Sequence, residues 1–220
     1  IAFLDKTIFQ IILGVYAYGD IPDAWKTANI RLLWKRKGSP ADIAMHRPIA
    51  LTSNLRKLLE AIILADFLEF TNPPHACQGG FRSKRSIEDQ ITALQTVWER
   101  ANKGKTPLVA AFLDIKAAFD TVDREILWEK LAAANTHAHT LWMLRKLFDY
   151  NVAQLMIGGK RSEAIDIGVG LLQGSILSPH LYAQHVNDLI IELDQIKPRA
   201  NQYKAATPVT SIWYADDSAL

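Results

Sequence analysis

Two adjacent carboxylates, Asp216 and Asp217, lie close to the C-terminal end of the chain. They follow the run 209–214, whose β-branched and aromatic residues favour an extended strand, so the pair is expected at the tip of a strand. Two ionised carboxylates at one place repel each other unless a cation or basic groups lie nearby. The pair therefore suggests a metal site. Asp-Asp-Ser is also common turn chemistry, and for the pair alone a surface turn is the simpler interpretation.

A third acid, Asp114, stands at the end of the nearly continuous apolar run Pro107–Ile115. Such a run is typical of a central strand buried on both faces. A carboxylate at the exit of a buried strand is costly unless it is paired, hydrogen-bonded or bound to a metal. Asp120 has a simpler explanation, because together with Thr121 and Asp123 it can cap the helix that follows.

If the two acid-bearing strands are neighbours, Asp114 converges with Asp216 and Asp217. Oxygen-rich clusters of this kind suit Mg²⁺, which prefers one or two protein carboxylates, water and substrate phosphates. Two such ions can activate a hydroxyl and stabilise the leaving oxygen in an in-line phosphoryl transfer. That chemistry also needs cations near a triphosphate, which the basic segment from Arg31 to Arg47 could provide.

The composition is that of a globular protein. Among the 220 residues, 49% are hydrophobic and 22% are charged, which argues against disorder, and the formal net charge of +2 is uninformative. The positive charge is nevertheless clustered, which fits a phosphate-bearing partner, although a solvated surface is the alternative. The clustered residues are Arg31, Lys35, Arg36, Lys37, Arg47, Arg56 and Lys57, followed by Arg82, Lys84 and Arg85.

Several classes of site and location are disfavoured. Cys77 is the only cysteine, which excludes a disulfide framework and argues against a cysteine-based zinc site, and the spacing of His137 and His139 does not put both on one helical face. The apolar stretch Ile8–Tyr18 is too short for a membrane span, so no membrane partner is expected. Because the chain begins with Ile1, we expect an excerpt of a longer protein in which the strand before Asp216 has lost its partner.

Local patterns predict the remaining elements. Helices are predicted at residues 1–18, at about 138–149 and from Ser178 to about Gln195. Another helix is predicted to begin with Thr52, Ser53 or Asn54 as its cap. A further helix is predicted from the Ser86/Asp89 capping box to about Asn102, with its inward face formed by Ile87, Ile91, Leu94 and Trp98. The predicted strands cover Ala28–Trp34 and a hairpin around Gly158-Gly159. The glycines of 168–175 permit either close backbone approach or a simple bend, and a polar loop is predicted at 197–208.

Five ordered motifs resemble those of the reverse transcriptase domain of non-LTR (LINE-like) retrotransposons. The resemblance is to a domain truncated just after the last of these motifs. The motifs cover nearly the whole chain, and their order and spacing make the resemblance specific. They are Arg47-Pro48-Ile49-Ala50-Leu51, Gln78-Gly79-Gly80-Phe81, the segment Phe112–Asp120, Leu172-Gln173-Gly174-Ser175-Ile176-Leu177-Ser178-Pro179 and Tyr214-Ala215-Asp216-Asp217.

The resemblance implies an α+β fold, that of a right-hand polymerase with fingers and an antiparallel palm sheet packed on helices, the thumb being absent. On this view residues 1–106 are mainly fingers with palm-supporting helices, and residues 107–220 are mainly palm, incomplete at the C-terminus. The implied activity is RNA-directed DNA synthesis with an RNA template, a DNA primer and deoxynucleoside triphosphates (dNTPs). A nuclear site of action follows only by family analogy.

The resemblance also assigns roles. Two Mg²⁺ ions, or Mn²⁺ in their place, are expected on Asp114 and Asp216, with Asp217 assisting and the Ile115 carbonyl as a backbone ligand. Phe119 matches the bulky residue that excludes a ribose 2′-hydroxyl, though it can equally serve core packing. The expected contacts to the nucleotide or template come from Lys35, Arg47, Gln173, Gly174 and Ser175.

Two departures from the family pattern leave the metal acids intact. His46 stands where a tyrosine is common, and Ala117 replaces a frequent lysine, with Lys116 beside it. The alternatives are a group II intron or retron-like reverse transcriptase, a viral RNA polymerase, which Phe119 disfavours, and a non-catalytic nucleic-acid-binding relic. Because later palm motifs and the thumb are expected to be missing, we expect the 220-residue chain alone to be inactive or weak.

Overall fold

The computed structural model describes residues 2–105, 107–195 and 211–219 and shows a mixed α+β fold. The α-helices are α1 Ala2–Tyr18, α2 Asp23–Lys26, α3 Asn54–Phe70, α4 Ile87–Gly104, α5 Arg124–Ala133, α6 Ala138–Phe148, α7 Ser178–His185 and α8 Asn187–Asp194. The strands are β1 Thr27–Trp34, β2 His46–Leu51, β3 Phe112–Asp114, β4 Val152–Ile157, β5 Lys160–Arg161, β6 Ile165–Asp166, β7 Ile212–Tyr214 and β8 Asp217–Ala219.

The chain folds into two compact units, and each is built from two separate stretches of sequence. The first unit comprises Ile1–Asn72 and Phe119–Ser178, and the second comprises Pro73–Ala118 and Pro179–Leu220. Each unit therefore combines an early and a late part of the chain.

The sheet of the first unit has the strand order β2-β1-β4-β5, with β6 also paired to β4. β1 runs antiparallel to β2, from Asn29↔Leu51 to Trp34↔His46, and parallel to β4. The predicted strand Ala28–Trp34 and the predicted glycine hairpin are both confirmed. Gly158 and Gly159 have φ values of 57° and 79°, which residues without a Cβ adopt freely in a two-residue β-hairpin.

Helices α3, α5 and α6 form the apolar core of the first unit, because each places aliphatic residues at helical spacing on one face. Ser53 is the N-cap of α3, where its hydroxyl accepts a hydrogen bond from the Leu55 N–H at 3.2 Å. The fully buried core side chains are Leu59, Ile63, Leu127, Leu131, Met143, Leu144, Leu147 and Phe148. Local capping and periodicity thus predict these helices correctly.

The second unit contains the antiparallel sheet β3-β8-β7 together with α4, α7 and α8. The expectation that the strand before Asp216 has no partner is wrong, because Asp217–Ala219 forms β8 and pairs with both β7 and β3. The prediction of a long strand buried on both faces at Pro107–Ile115 is also wrong. Only Phe112–Asp114 is extended, and all three residues are exposed because β3 lies at the edge of the described sheet.

Helix α4 forms where predicted but does not bury the predicted face. The N–H of Ser86 donates to the Asp89 carboxylate at 2.9 Å, as the capping box requires. Ile87, Ile91 and Trp98 are nevertheless exposed, and α4 has no buried residue even though it packs against β7. Helical periodicity reports an amphipathic surface, whereas burial also requires a partner large enough to cover it.

Three further expectations are refined. The helix predicted from Ser178 to about Gln195 is divided at Val186 into α7 and α8. Asp123, not Asp120, caps α5, since its carboxylate accepts hydrogen bonds from the N–H groups of Glu125 and Ile126 at 2.9 and 3.2 Å. The polar loop predicted at 197–208 lies outside the described residues.

In the described part of the chain, no helix is both long and apolar enough to cross a membrane.

Tyr16 on α1 offers a pH-dependent test of helix packing. Its hydroxyl donates to the Asp66 carboxylate of α3, and burial, followed by that hydrogen bond, raises the pKa of Tyr16 to about 12. Since the folded pKa is raised, the stabilisation is complete below the unfolded pKa of about 10 and is lost as the pH rises toward 12. Unfolding curves of the parent and Tyr16→Phe should therefore differ most below pH 10 and converge above it.

Tyr18→Phe, on the same helix and exposed, is the matched control for loss of a phenol and should change the stability little. A constant difference for Tyr16→Phe between pH 9 and 12 would contradict the proposed packing contact.

Candidate active site

The three predicted acids come together on the sheet of the second unit. Asp114 ends β3 and lies opposite Asp217, the first residue of β8. Asp217 also pairs with Tyr214 at the end of β7, so Ala215 and Asp216 form the two-residue connection between β7 and β8. Strand pairing therefore brings the backbones of all three acids to one end of this sheet, while their role as metal ligands stays a prediction.

The exposure of the acids explains how the cluster is tolerated without a counter-charge. Asp114 and Asp217 are exposed and Asp216 is half-buried, so water solvates most of their charge. Among the described residues, no Lys, Arg or His forms an ion pair with these three acids. Like charges directly opposite each other on adjacent strands are destabilising. The cluster is therefore an arrangement that a cation would stabilise.

Tyr182 on α7 belongs to this neighbourhood, and the sequence analysis missed it. Its side chain is buried, and its pKa is raised first by that burial and then by the negative charges of Asp216 and Asp114. The phenol therefore stays neutral beside the acids and adds no charge of its own. The only available signal was its position four residues after Ser178 on a predicted helix, which is equally typical of core packing.

Ile115, the proposed backbone ligand, follows β3 directly and is half-buried. Its role as a backbone ligand through the carbonyl stays a prediction. Carboxylate and carbonyl oxygens are the ligands that Mg²⁺ prefers, so this donor set fits that ion.

The predicted triphosphate contacts lie at one end of the first unit's sheet. Arg47 is exposed on β2, opposite Leu33 of β1. Lys35 closes the turn between the two strands, since its N–H donates to the Met45 carbonyl at 2.9 Å and its Nζ donates to the Ala44 carbonyl at 3.1 Å. The exposed Arg47 guanidinium has no hydrogen bond or ion pair to give up among the described residues before it can bind an anion, whereas the Lys35 ammonium already donates to a carbonyl of the turn.

The predicted loop Gln173-Gly174-Ser175 lies directly on β2. The N–H of Ala50 donates to the Gln173 carbonyl at 2.7 Å. Gly174 has φ of 128°, and a Cβ at this position would lie 2.4 Å from the Ala50 carbonyl oxygen. Gly174 therefore allows two backbone segments to approach closely. The sequence alone did not distinguish this role from a simple bend.

The same loop also contacts the segment that carries Phe119. The N–H of Leu171 donates to the Phe119 carbonyl at 2.8 Å. A Cβ at Gly170 would lie 2.7 Å from the Asp120 carbonyl oxygen, so a glycine is needed there as well. The first unit thus connects Phe119, through the loop 170–175, to the strand that holds Arg47.

A buried ion pair anchors the end of this loop. Arg56 and Glu60, both fully buried on α3, are joined by a hydrogen bond of 2.8 Å from Nε to Oε1. The other carboxylate oxygen of Glu60 accepts from the Ile176 N–H at 3.1 Å. Arg56 Nη1 donates to Asn151 Oδ1 at 2.6 Å and to the Trp25 carbonyl at 3.0 Å. Arg56 belongs to the basic cluster seen in the sequence, but because it is buried it contributes neither to a phosphate-binding patch nor to a solvated surface.

A different group of potential ligands, His75, Cys77 and Asp194, lies within the second unit, with their donor atoms within 4.8 Å of one another. Hydrogen bonds account for its geometry. The Cys77 N–H donates to His75 Nδ1 at 3.4 Å and the Cys77 thiol donates to the Asp194 carboxylate at 3.5 Å, while His75 Nε2 lies 3.7 Å from that carboxylate. Burial, the largest cause, raises the pKa of the Cys77 thiol. This nitrogen, sulfur and oxygen set is not one that Mg²⁺ prefers.

Residues 35–220 match the family described as reverse transcriptase (RNA-dependent DNA polymerase). The chain, with its acid-bearing antiparallel sheet, belongs to the reverse transcriptase family.

Its relatives include polymerases of mobile elements. The chain is 30% identical over 217 residues to the RNA-directed DNA polymerase from mobile element jockey of Drosophila melanogaster, covering 97% of this chain and 22% of the relative. It is 31% identical over 222 residues to the probable RNA-directed DNA polymerase from transposon BS of the same species, with 97% and 23% covered. It is 27% identical over 204 residues to the Pol polyprotein from type-1 retrotransposable element R2 of Popillia japonica, with 92% and 28% covered.

These relatives confirm the predicted resemblance to non-LTR retrotransposon reverse transcriptases, and the chain spans about a quarter of their length. Among solved structures, the chain is similar to telomerase from Candida albicans in complex with a TWJ fragment of telomeric RNA. The TM-score is 0.50 at 11% identity, over 99% of this chain and 41% of the telomerase chain, a likeness of fold.

Asp217→Asn tests whether the acids repel one another. Removing one of two charges that face each other across β3 and β8 should raise the unfolding temperature of the metal-free protein by about 2 °C at low salt, an effect that added salt reduces. Mn²⁺ should stabilise the parent and should stabilise Asp217→Asn less. Thermal unfolding with and without Mn²⁺ measures both effects.

Asp166→Asn, which removes an exposed acid on β6 opposite Val152, is the control. Equal shifts in the two variants would show that net charge, and not the acid cluster, is responsible.

Proposed function

We propose that the parent protein is an RNA-directed DNA polymerase that adds deoxynucleotides to the 3′-hydroxyl of a DNA primer on an RNA template. The observation that carries the proposal is the register of the second unit's sheet, in which Asp114 lies opposite Asp217 and Asp216 occupies the adjoining turn. Membership of the reverse transcriptase family and the mobile-element relatives support it. The mobile-element relatives favour this function over the group II intron, retron-like and relic alternatives.

The acids are the proposed holders of two Mg²⁺ ions, for which Mn²⁺ can substitute. Asp114 and Asp216 would be direct ligands, with Asp217 assisting and the Ile115 carbonyl as a backbone ligand. When bound, the metal supplies activation of the primer hydroxyl and charge stabilisation at the reacting phosphate. The chain's own contribution is to hold several carboxylates close together in advance, at the cost of their mutual repulsion.

The residues of the first unit are proposed to select and orient the nucleotide. Arg47 would bind the triphosphate, since a guanidinium forms bidentate contacts with phosphate oxygens. Lys35 would do so only by releasing the Ala44 carbonyl, so we assign it the weaker contribution. The loop Gln173-Gly174-Ser175 would contact the incoming nucleotide and template through backbone that Gly174 lets approach closely.

In the terms of a right-hand polymerase, we propose that residues 1–106 are mainly fingers with palm-supporting helices. Residues 107–220 would be mainly palm, and neither range would supply a thumb. The antiparallel sheet β3-β8-β7, with the acids at one end, is the proposed catalytic part of the palm.

Primer extension on an RNA template with Mg²⁺ and dNTPs tests the function. With the full-length parent protein, Asp114→Ala should reduce extension at least about a hundredfold, because an electrostatic contact to the reacting centre is lost. Asp166→Ala on β6 is the matched control and should extend like the parent. Equal extension by the parent and Asp114→Ala would overturn the proposal, and robust extension by the 220-residue chain alone would overturn the expectation that it is weak.

Phe119→Ala tests discrimination against ribonucleotides. Phe119 is half-buried and its loop contact uses the backbone carbonyl, which the substitution leaves in place. Loss of the ring should therefore raise ribonucleotide incorporation relative to deoxynucleotide incorporation by at least about tenfold. Single-nucleotide addition with matched dNTP and rNTP pairs measures the ratio.

Phe9→Ala, on the exposed surface of α1, is the control for loss of a phenyl ring and should leave the ratio unchanged. An unchanged ratio in Phe119→Ala would reduce Phe119 to its packing role.

A further inference from the structure

The turn that carries Asp216 lies against residues 77–80 of the same unit. The N–H of Trp213 donates to the Cys77 carbonyl at 3.1 Å, and the N–H of Gly79 donates to the Trp213 carbonyl at 2.8 Å. These two backbone bonds hold the segment 77–80 along β7, immediately before the acids.

The Gln78 side chain continues this pairing around the turn. It is fully buried, and its Oε1 accepts from the Ala215 N–H at 3.0 Å and from the Gly80 N–H at 2.8 Å. Its Nε2 donates to the Ala215 carbonyl at 3.1 Å. One side-chain amide therefore binds both the N–H and the carbonyl of Ala215, as a neighbouring strand would.

Ala215 needs such support because its backbone is in the left-handed region. Its φ is 59°, which a residue with a Cβ adopts only at a cost in free energy. Gly80 gives the contact its space, since a Cβ there would lie 2.3 Å from the Ala215 nitrogen. The φ of Ala215 sets the direction in which the chain enters Asp216 and then Asp217.

We propose that Gln78 is a positioning residue for the metal-binding acids. It fixes the left-handed conformation of Ala215 and thereby the direction in which Asp216 and Asp217 leave the turn. Its role is exerted through Ala215, and it touches neither the metal nor the substrate. The inference rests on the proposed function, in which these acids hold divalent metal.

The test measures Mn²⁺ affinity, for example by electron paramagnetic resonance of the free ion, on the folded 220-residue chain. Gln78→Met keeps the length of the side chain and removes all three hydrogen bonds. Its Mn²⁺ affinity should fall at least about tenfold, the usual scale for losing an outer-shell partner. Gln10→Met, on the exposed face of α1, is the matched control and should bind like the parent.

Ala215→Gly distinguishes positioning from general stability. Glycine adopts a positive φ without support, so in the Gln78→Met background it should restore part of the lost affinity. A merely structural defect around residue 78 would not be relieved at residue 215. Gln78→Asn, which keeps the amide but is one methylene too short to reach Ala215, provides the same comparison if Gln78→Met does not fold.

The outcomes separate this inference from the proposed function. If the unsubstituted chain binds no Mn²⁺, or if Asp114→Asn does not abolish that binding, the metal-binding function and the inference both fail. If the parent binds Mn²⁺ but folded Gln78→Met or Gln78→Asn binds equally tightly, only the inference fails. It also fails if affinity is lost and Ala215→Gly restores none of it.

Discussion

The first unit depends on an ion pair that is entirely removed from water. Transferring two charges into a protein interior costs several kcal/mol per ion, so Arg56 and Glu60 depend on each other and on the hydrogen bonds made by Arg56 Nη1 and by the second carboxylate oxygen of Glu60. Those bonds reach Trp25 before β1, Asn151 before β4 and Ile176 after the glycine loop. The pair therefore fixes distant parts of the chain relative to α3, and losing either charge would leave the other buried without its partner.

The acids of the second unit solve the opposite problem. They are exposed or half-buried, so water solvates their charge. The sheet brings the three acids near one another without burying them. Proximity comes from register, since β8 lies between β3 and β7 and brings residues about a hundred positions apart in sequence to one strand end. The Tyr182 phenol lies nearby and, being neutral, adds no further negative charge to the cluster.

Prediction from sequence succeeded where the determining interaction is local. The capped start of α3 at residues 52–54, the Gly158-Gly159 hairpin and the strand at Ala28–Trp34 each follow from neighbouring residues. It failed where burial depends on distant partners. Helix α4 is amphipathic, but its apolar stripe containing Trp98 is not covered by other residues. Gln78 binds Ala215, which is 137 positions away in the sequence, and hydrophobic periodicity gives no information on such a contact.

The division of each unit between early and late sequence has a consequence for synthesis on the ribosome. β1 leaves the ribosome long before its parallel partner β4, to which Thr27 pairs through Val152. Until then it has only β2, and an isolated pair of strands is marginal in water. The sheet β3-β8-β7 likewise forms only after β7 and β8 have been synthesised. Between the synthesis of β2 and that of β4, a nascent chain therefore exposes an unpaired edge of β1.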